Sequence, residues 1–399
     1  MLFGFIVLTT YSSLKILNID EYIRSQKEAS KIFEEYYVDG SKVELKFPEK
    51  KRNLIYIYAE SMEMTNASIE NGGRIEKSYI PKLEKLALEN INFSNTDKLG
   101  GAFQINNTEW TMAGLVAQTA GVPLKLSIDG NSYTNYDSFL PGVYNIGDIL
   151  KDNGYNNYFM IGSDAVFGGR KDYFTHHGDY EIYDYYYAID NKYIDKDYHV
   201  WWGYEDKKIF SFAKKEILKA AKENKPFNFT ILTVDTHFTD GYMDDSCKEM
   251  FDSKYANSIY CSDQKIYSFV NWIKKQDFYE DTTIIISGDH LTMQTDFYNS
   301  NSSPRTIYNT IINSPIKPIS EKNRLFSSFD MFPTTLASLD VKIKGNKLGL
   351  GVNLFSDEKT LVEQFGLEFL NQELLKKSFY YDNVLLGSTY YDFQKIEEK

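Results

Sequence analysis

Carboxylate and imidazole side chains stand directly after three segments that the sequence predicts to be strands. They are Glu60 after residues 53–58, Asp235 and His237 after residues 227–234, and Asp289 and His290 after residues 282–287. Ligands of open α/β sheets bind outside the carboxyl ends of the strands, so these side chains are expected to meet there. Oxygen and imidazole ligands suit Mn²⁺, Zn²⁺ or Mg²⁺. The pattern therefore predicts a divalent metal site.

Thr108 is the candidate nucleophile for such a site. It follows the loop 99–107 and precedes a helix predicted over 109–120. The N-terminus of a helix offers free N–H groups and a positive dipole end to a phosphoryl group. A bound metal ion would also make the hydroxyl more acidic. The alternative is that Thr108 only caps the helix, although no capping box supports this because Thr111 stands where Glu or Gln is expected.

The elements that must position these residues alternate along the chain. Strands are predicted at 53–58, 91–94, 158–161, 227–234 and 282–287, and helices at 79–90, 109–120, 205–223 and 262–275. Such alternation predicts an α/β fold with a central, mostly parallel sheet and helices on both faces.

Four segments carry a family resemblance in their order along the chain. They are residues 55–63 (IYIYAESME), 108–114 (TEWTMAG), 234–237 (VDTH) and 287–293 (SGDHLTM). Together they resemble the phosphoglycerol transferases, and more distantly the lipoteichoic acid synthases, of the sulfatase (alkaline phosphatase-like) superfamily. The resemblance extends from about residue 30 to about residue 355. It implies the alkaline phosphatase/sulfatase fold.

The resemblance also implies a metal site and its nucleophile. Glu60, Thr108, Asp289 and His290 match the residues that hold a single metal ion in the family, with Thr108 as the nucleophile. We expect one divalent ion, Mn²⁺ first and Zn²⁺ or Mg²⁺ as alternatives.

Recognition of the transferred group is implied for three further residues. His237 matches a histidine that contacts the group and protonates the leaving alcohol. The segment 164–170 resembles the part of the family that binds glycerol phosphate, with Asp164 in the head-group site and Arg170 on the phosphate.

The function that follows from the resemblance is transfer of a phosphoglycerol group through a phospho-threonine. The donor is expected to be a phospholipid such as phosphatidylglycerol, and the acceptor a glycan or polyglycerol phosphate of the cell envelope. Transfer of phosphoethanolamine, or hydrolysis of a phosphodiester, is the alternative. The family has membrane helices before this domain, so contact with the membrane through N-terminal helices and an extracytoplasmic catalytic domain are expected.

Three alternatives to the transferase agree less well with the sequence. A sulfatase needs Cys or Ser in a C/S-x-P-x-R motif, and neither Cys247 nor Cys261 lies in one. A two-metal phosphatase usually takes a further histidine late in the chain, yet none follows His290. In that case His237 would be a ligand and Asp235 its partner. A non-catalytic binding module would be expected to have lost part of the ligand set.

Charge and cysteine content restrict the partners and the compartment. The net charge of −12 over 399 residues argues against nucleic-acid binding, which needs a basic surface. Cys247 and Cys261 are the two cysteines, in a segment predicted to be a loop. An extracellular domain would join them in a disulfide, and the alternative is two reduced, buried thiols.

The domain boundaries were predicted from composition. Residues 1–18 are apolar but too short to span a bilayer, so they are interpreted as the remnant of a transmembrane helix. Residues 19–50 are predicted to be a juxtamembrane linker helix, 51–360 the catalytic domain and 361–399 a C-terminal extension that packs on it.

Overall fold

A computed structural model describes residues 28–125, 139–298 and 304–387. The predicted transmembrane remnant at 1–18 lies outside this range. Within the described ranges, no helix combines the length and the apolar character that crossing a bilayer requires.

A six-stranded sheet forms the centre of the molecule. Its strands are β1 (Asn53–Ala59), β2 (Asn156–Ile161), β3 (Glu181–Tyr183), β4 (Phe227–Leu232), β5 (Thr282–Gly288) and β6 (Asn309–Ile312). The spatial order is β3–β2–β4–β1–β5–β6, and only β6 runs antiparallel to its neighbour. This arrangement confirms the predicted α/β fold with a mostly parallel sheet.

The central strands are buried along their length. Every residue of β4 and β5 is buried, and so is β1 after its first residue. A strand buried in this way is covered on both faces, which explains the continuous runs of Ile, Tyr and Phe in place of an alternating pattern.

Helices surround the sheet. They are α1 (Ile32–Tyr36), α2 (Pro81–Glu89), α3 (Thr111–Ala120), α4 (Ile146–Asp152), α5 (Arg170–His176), α6 (Tyr185–Asp190), α7 (Asp206–Ala220), α8 (Lys254–Ile273), α9 (Met331–Ser338), α10 (Leu361–Phe365) and α11 (Leu367–Leu375). The longest, α8, packs against α2 and α7, while α3 packs against α9.

Short antiparallel pairs complete the fold. They join Leu45–Lys46 to Lys342–Ile343, Ala102–Phe103 to Thr306–Ile307, and Lys347–Leu348 to Gly351–Val352. A π-helical turn at Tyr381–Leu385 follows α11.

Several predicted elements differ from the observed ones. Residues 91–94 form no strand, and only Ile91 makes an isolated bridge, to Ile311. The described part of the linker predicted at 19–50 is not a continuous helix: it holds α1 and the short strand Leu45–Lys46, and Phe33 is buried in the core. Residues 361–387 contribute further side chains to the same core.

Candidate active site

Two neighbouring strands bring the acidic residues of the site together. Glu60 follows β1, and Asp289 and His290 follow β5, whose Gly288 is the register partner of Ala59. His290 Nε2 lies 3.3 Å from Glu60 Oε1 and 3.5 Å from Asp289 Oδ2. All three residues are buried. The structure therefore places these three predicted ligands in one cluster.

Local backbone contacts orient the ligand atoms. Ser61, whose φ is +54°, donates its N–H to Asp289 Oδ1 at 2.8 Å and its hydroxyl to Glu60 Oε1 at 2.8 Å. Asp289 Oδ2 is buried and has no hydrogen-bond partner in the described part of the chain. His290 Nδ1 lies 2.7 Å from the carbonyl of Leu291 and donates to it, which directs Nε2 at the carboxylates; in the neutral ring Nε2 would be the atom available to a metal ion.

Crowding of these groups shifts their pKa values. Burial, followed by the charge of Glu60, raises the pKa of Asp289 to about 8. Burial also disfavours the charged form of Glu60, but neighbouring His290 outweighs this and lowers the pKa of Glu60 to about 2. Burial opposes charge on His290, yet Asp289 and Glu60 raise its pKa to about 10. A positive charge among these atoms would therefore be favourable.

The cluster fits a divalent cation. Its three residues each offer one ligand atom, and these atoms lie within 4.8 Å of one another. Asp289 also has a buried oxygen, Oδ2, with no hydrogen-bond partner among the described residues. Two carboxylates and an imidazole acceptor form a donor set that Mn²⁺, Zn²⁺ and Mg²⁺ share, so the set does not choose among them.

The threonine whose hydroxyl reaches this cluster is Thr111, and the placement predicted for Thr108 is wrong. Thr111 Oγ1 lies 3.2 Å from Glu60 Oε2 and 3.4 Å from His290 Nε2. Thr108 is buried in the preceding turn, where its hydroxyl donates to the carbonyl of Ile105 at 2.6 Å. The reason is the helix boundary, because α3 begins at Thr111 rather than at 109.

Helix α3 approaches the ligand loop closely. A Cβ at Gly114 would lie 2.1 Å from the carbonyl oxygen of Asp289. One turn later, the Gln118 side-chain amide donates to the carbonyl of Gly288 at 2.8 Å. The glycine three positions after Thr111 therefore marks a close backbone approach between this helix and the ligand loop.

His237 lies at the cavity wall, in the loop after β4. Its Nδ1 is 2.6 Å from the carbonyl of Phe238, so Nδ1 carries the proton and Nε2 is free to exchange one. The ring packs against Phe238 and Trp202, with centroids 5.0 and 4.8 Å away. Trp202, which the sequence analysis missed, is held in place by its neighbour Trp201, whose Nε1 donates to the carbonyl of Val234 at 3.0 Å.

Arg170 provides a buried cation at the start of α5. Burial lowers its pKa to about 10, against the opposing charge of Glu60. Its Nη2 donates to the carbonyl of Asp164 at 3.1 Å, while its buried Nε has no partner among the described residues. The Asp164 carboxylate accepts from the N–H of Val166 at 2.8 Å and does not line the cavity described below. Asp164 thus fixes the turn that leads to Arg170.

These residues open into one cavity of about 760 Å³. Its polar side holds Glu60, Thr111, Arg170 and His237. The remaining wall is mostly apolar and includes Trp110, Met112, Ile161, Phe167, Trp202, Leu232, Val234, Phe238 and Met293. A volume of this size is in the range that holds ligands of drug-like size.

Asp235 faces away from the cluster. Its carboxylate pairs with Lys265 at 2.7 Å and accepts the N–H of Asp206 at 3.1 Å. Lys265 also pairs with Asp244, at 2.6 Å. Asp235 is therefore engaged by Lys265 and the N–H of Asp206, and the arrangement does not support a second metal site built on Asp235 and His237.

The predicted bond between Cys247 and Cys261 is present. Cys261 lies within α8, since this helix begins at Lys254, eight residues before the predicted start, and not in a loop. The bridge fixes the segment after Asp244 to the helix that carries Lys265.

Comparison with known proteins gives a consistent result. The model of the sulfatase family matches residues 52–341. Phosphoglycerol transferase I of Escherichia coli O6:K15:H31 is 34% identical over 285 residues, which are 69% of this chain and 35% of the relative. This chain therefore spans about a third of the length of that relative.

Solved structures share the fold. The lipoteichoic acid synthase LtaP from Listeria monocytogenes has a TM-score of 0.60 at 18% identity and covers 79% of both chains. A protein of the alkaline phosphatase superfamily from Vibrio parahaemolyticus has a TM-score of 0.59 at 23% identity, over 73% of this chain and 67% of its own.

Proposed function

The chain belongs to the sulfatase family, and we propose that it is a metal-dependent transferase of phosphoglycerol groups. The donor is a phospholipid, with phosphatidylglycerol expected, and the acceptor is a glycan or polyglycerol phosphate of the bacterial cell envelope. One observation carries the proposal: the Thr111 hydroxyl, at the N-terminus of α3, meets Glu60 and His290 in the cavity that also holds Arg170 and His237.

Thr111 is the nucleophile in this proposal. A divalent ion held by Glu60, Asp289 and His290, with the Thr111 hydroxyl beside them, would stabilise the deprotonated hydroxyl and the phosphoryl oxygens. The first turn of α3 adds unpaired N–H groups and the positive end of its dipole. Thr111 cannot supply the aldehyde of a sulfatase, since that group is made from Cys or Ser.

Arg170 and His237 complete the chemistry. Arg170 offers a buried guanidinium with an unpartnered Nε, which suits a phosphoryl oxygen. With Thr111 deprotonated and the His237 ring protonated on both nitrogens, Thr111 Oγ1 forms a bond to phosphorus while the bond from phosphorus to the diacylglycerol oxygen breaks, and His237 Nε2 gives that oxygen a proton. The acceptor hydroxyl then attacks the phospho-threonine: its oxygen bonds to phosphorus, its proton passes to His237 Nε2, and the bond from phosphorus to Thr111 Oγ1 breaks, which restores the starting state.

The cavity wall supports a lipid donor. Met112, Ile161, Leu232 and Val234 line it next to the polar side. A water-soluble diester would gain no binding free energy from these apolar side chains. The glycerol backbone and the first acyl carbons of a lipid would gain binding free energy, because they would be removed from water there. The disulfide supports an extracytoplasmic location, where such bonds persist.

The test is to trap the intermediate. We would incubate the protein and Mn²⁺ with phosphatidylglycerol labelled in its head group, and locate the label by mass spectrometry of peptides. We expect the label on Thr111 and none in Thr111→Val. Thr108→Val is the matched control, since it removes a threonine hydroxyl three residues away that donates to the carbonyl of Ile105 and not to the cluster, and it should keep the label. A folded Thr111→Val enzyme with normal turnover would exclude a covalent intermediate on Thr111. A parallel experiment with labelled phosphatidylethanolamine shows which of the two head groups is transferred.

A further inference from the structure

Thr292 is hydrogen-bonded through its polar atoms to residues of three separate segments. It lies two residues after His290 and is 3% exposed. Its N–H donates to Glu63 Oε1 at 3.2 Å, its carbonyl accepts from Arg305 Nη2 at 3.2 Å, and its hydroxyl shares a 2.6 Å hydrogen bond with Tyr255. Each contact comes from a different segment, so Thr292 is the point where those segments are connected.

The first connection runs to the loop of Glu60. Glu63 is fully buried three residues after Glu60, and Arg305 donates Nε to its Oε2 at 2.7 Å and Nη2 to its Oε1. Two parallel hydrogen bonds between a guanidinium and a carboxylate fix both the orientation of the two groups and the distance between them, which a single hydrogen bond does not. Because Arg305 also holds the Thr292 carbonyl, one guanidinium spans the Glu60 loop and the Asp289–His290 loop.

The second connection runs to the loop of His237. The Tyr255 hydroxyl donates to the carbonyl of Thr236 at 3.0 Å and meets the Thr292 hydroxyl on its other side. Tyr255 belongs to α8, is fully buried, and packs its ring edge-on against Phe297 at 4.9 Å. One hydroxyl thus links the residue before His237 to the segment after His290.

We infer that Arg305, Glu63 and Tyr255 are positioning residues centred on Thr292, with two separable effects. The Glu63–Arg305 pair sets the separation of Glu60 from Asp289 and His290, and so the affinity for the cation. Tyr255 sets the place of His237 relative to that cluster, and so the proton transfer but not the cation affinity. The inference rests on the proposed function only for its second part, since cation binding is measured without any transfer.

The cation arm compares two conservative substitutions. Arg305→Lys keeps the charge but loses the two parallel hydrogen bonds, and we expect the Kd for Mn²⁺ to rise by about 10- to 100-fold, as is usual when groups behind metal ligands are changed. Arg324→Lys is the matched control, because Arg324 forms the same paired contact with Glu363 in a buried position remote from the cavity lining. It should lower the thermal midpoint without changing the Kd for Mn²⁺. Equal Kd values in the wild type and Arg305→Lys would overturn the first part.

The proton-transfer arm compares two tyrosines. Tyr255→Phe removes one buried hydroxyl, and we expect kcat at saturating Mn²⁺ to fall about tenfold with KM and the Kd for Mn²⁺ unchanged, as for loss of one orienting hydrogen bond. Tyr308→Phe removes a similar hydroxyl, bonded to the carbonyl of Leu83 at 2.8 Å, and should leave kcat unchanged. Equal kcat in wild type and Tyr255→Phe would overturn the second part. If the wild type binds Mn²⁺ but transfers no phosphoglycerol, the proposed function fails while the cation arm still decides the first part.

Discussion

At the scale of single residues, Asp289 and His237 have different roles in the proposed mechanism. Asp289 presents a buried, unpartnered oxygen to the cluster, with Glu60 beside it. His237 lies at the cavity wall among aromatic rings, and its Nδ1 is hydrogen-bonded to the carbonyl of Phe238. The first residue is therefore placed to hold a cation and the second to move a proton.

We predict that substitutions at these two residues have different signatures. Asp289→Asn should lose both bound metal and turnover, because it removes an anionic ligand. His237→Gln should keep the metal and lower kcat by about 10²- to 10⁴-fold, the usual worth of a general acid. Metal analysis of both purified variants and steady-state assays at saturating Mn²⁺ are the measurements. Equal loss of metal in the two variants would make His237 a ligand and contradict this division.

At the scale of elements, the start of α3 decides which threonine lies at the acidic cluster. The sequence predicts a helix from 109, whereas Trp110 stays extended and the helix begins at Thr111. Because of this difference of two residues, Thr108 lies in the preceding loop and Thr111 lies next to Glu60. The helix can come so close only because Gly114 has no side chain against the Asp289 carbonyl.

We predict that Gly114→Ala displaces α3 and damages the site. A Cβ 2.1 Å from the carbonyl oxygen of Asp289 cannot be accommodated without a shift of backbone. The expected result is a weaker affinity for Mn²⁺ and a fall in turnover beyond any loss in stability. Ala113→Gly is the control in the same helix, since it costs about 1 kcal/mol of helix stability without a clash. Isothermal titration with Mn²⁺ measures the difference, and an unchanged affinity in Gly114→Ala would refute the proposed role of the contact.

At the scale of the whole molecule, the net charge bears on how a substrate would be bound, and the disulfide bears on the compartment. The chain carries a net charge of −12, so the anionic substrate of the proposed function would have to be captured locally, and Arg170 lines the same cavity as Thr111. The Cys247–Cys261 bond is of the kind that persists in oxidising compartments. It lies beyond the loop of His237 and ties that part of the chain to α8.

We predict that Cys247→Ser/Cys261→Ser lowers the free energy of unfolding. The bond closes a loop over 14 residues, which corresponds to about 3 kcal/mol in the chain-entropy model. Reversible denaturation in urea without reductant gives the difference, and wild type with reductant should match the double variant. A midpoint equal to that of the oxidised wild type would show that the bond contributes no stability.

The sequence by itself determined the features that depend on local pattern. Buried strands such as β1 and β5 were predicted because a run of β-prone apolar residues is visible without any neighbour. Their carboxyl ends then identified Glu60, Asp289 and His290, since parallel strands direct whatever follows them to one edge of the sheet. The pairing of the two cysteines needed only their number and an oxidising compartment.

Only the tertiary structure decided what depends on contacts between distant segments. Local propensity does not fix a helix start to within two residues, and the packing of Gly114 on Asp289 selected Thr111 over Thr108. The predicted strand at 91–94 failed because only Ile91 meets a pairing partner. No sequence pattern around Arg305 or Tyr255 predicts a contact with Thr292, because these contacts form only when the sheet, α8 and the loops have assembled.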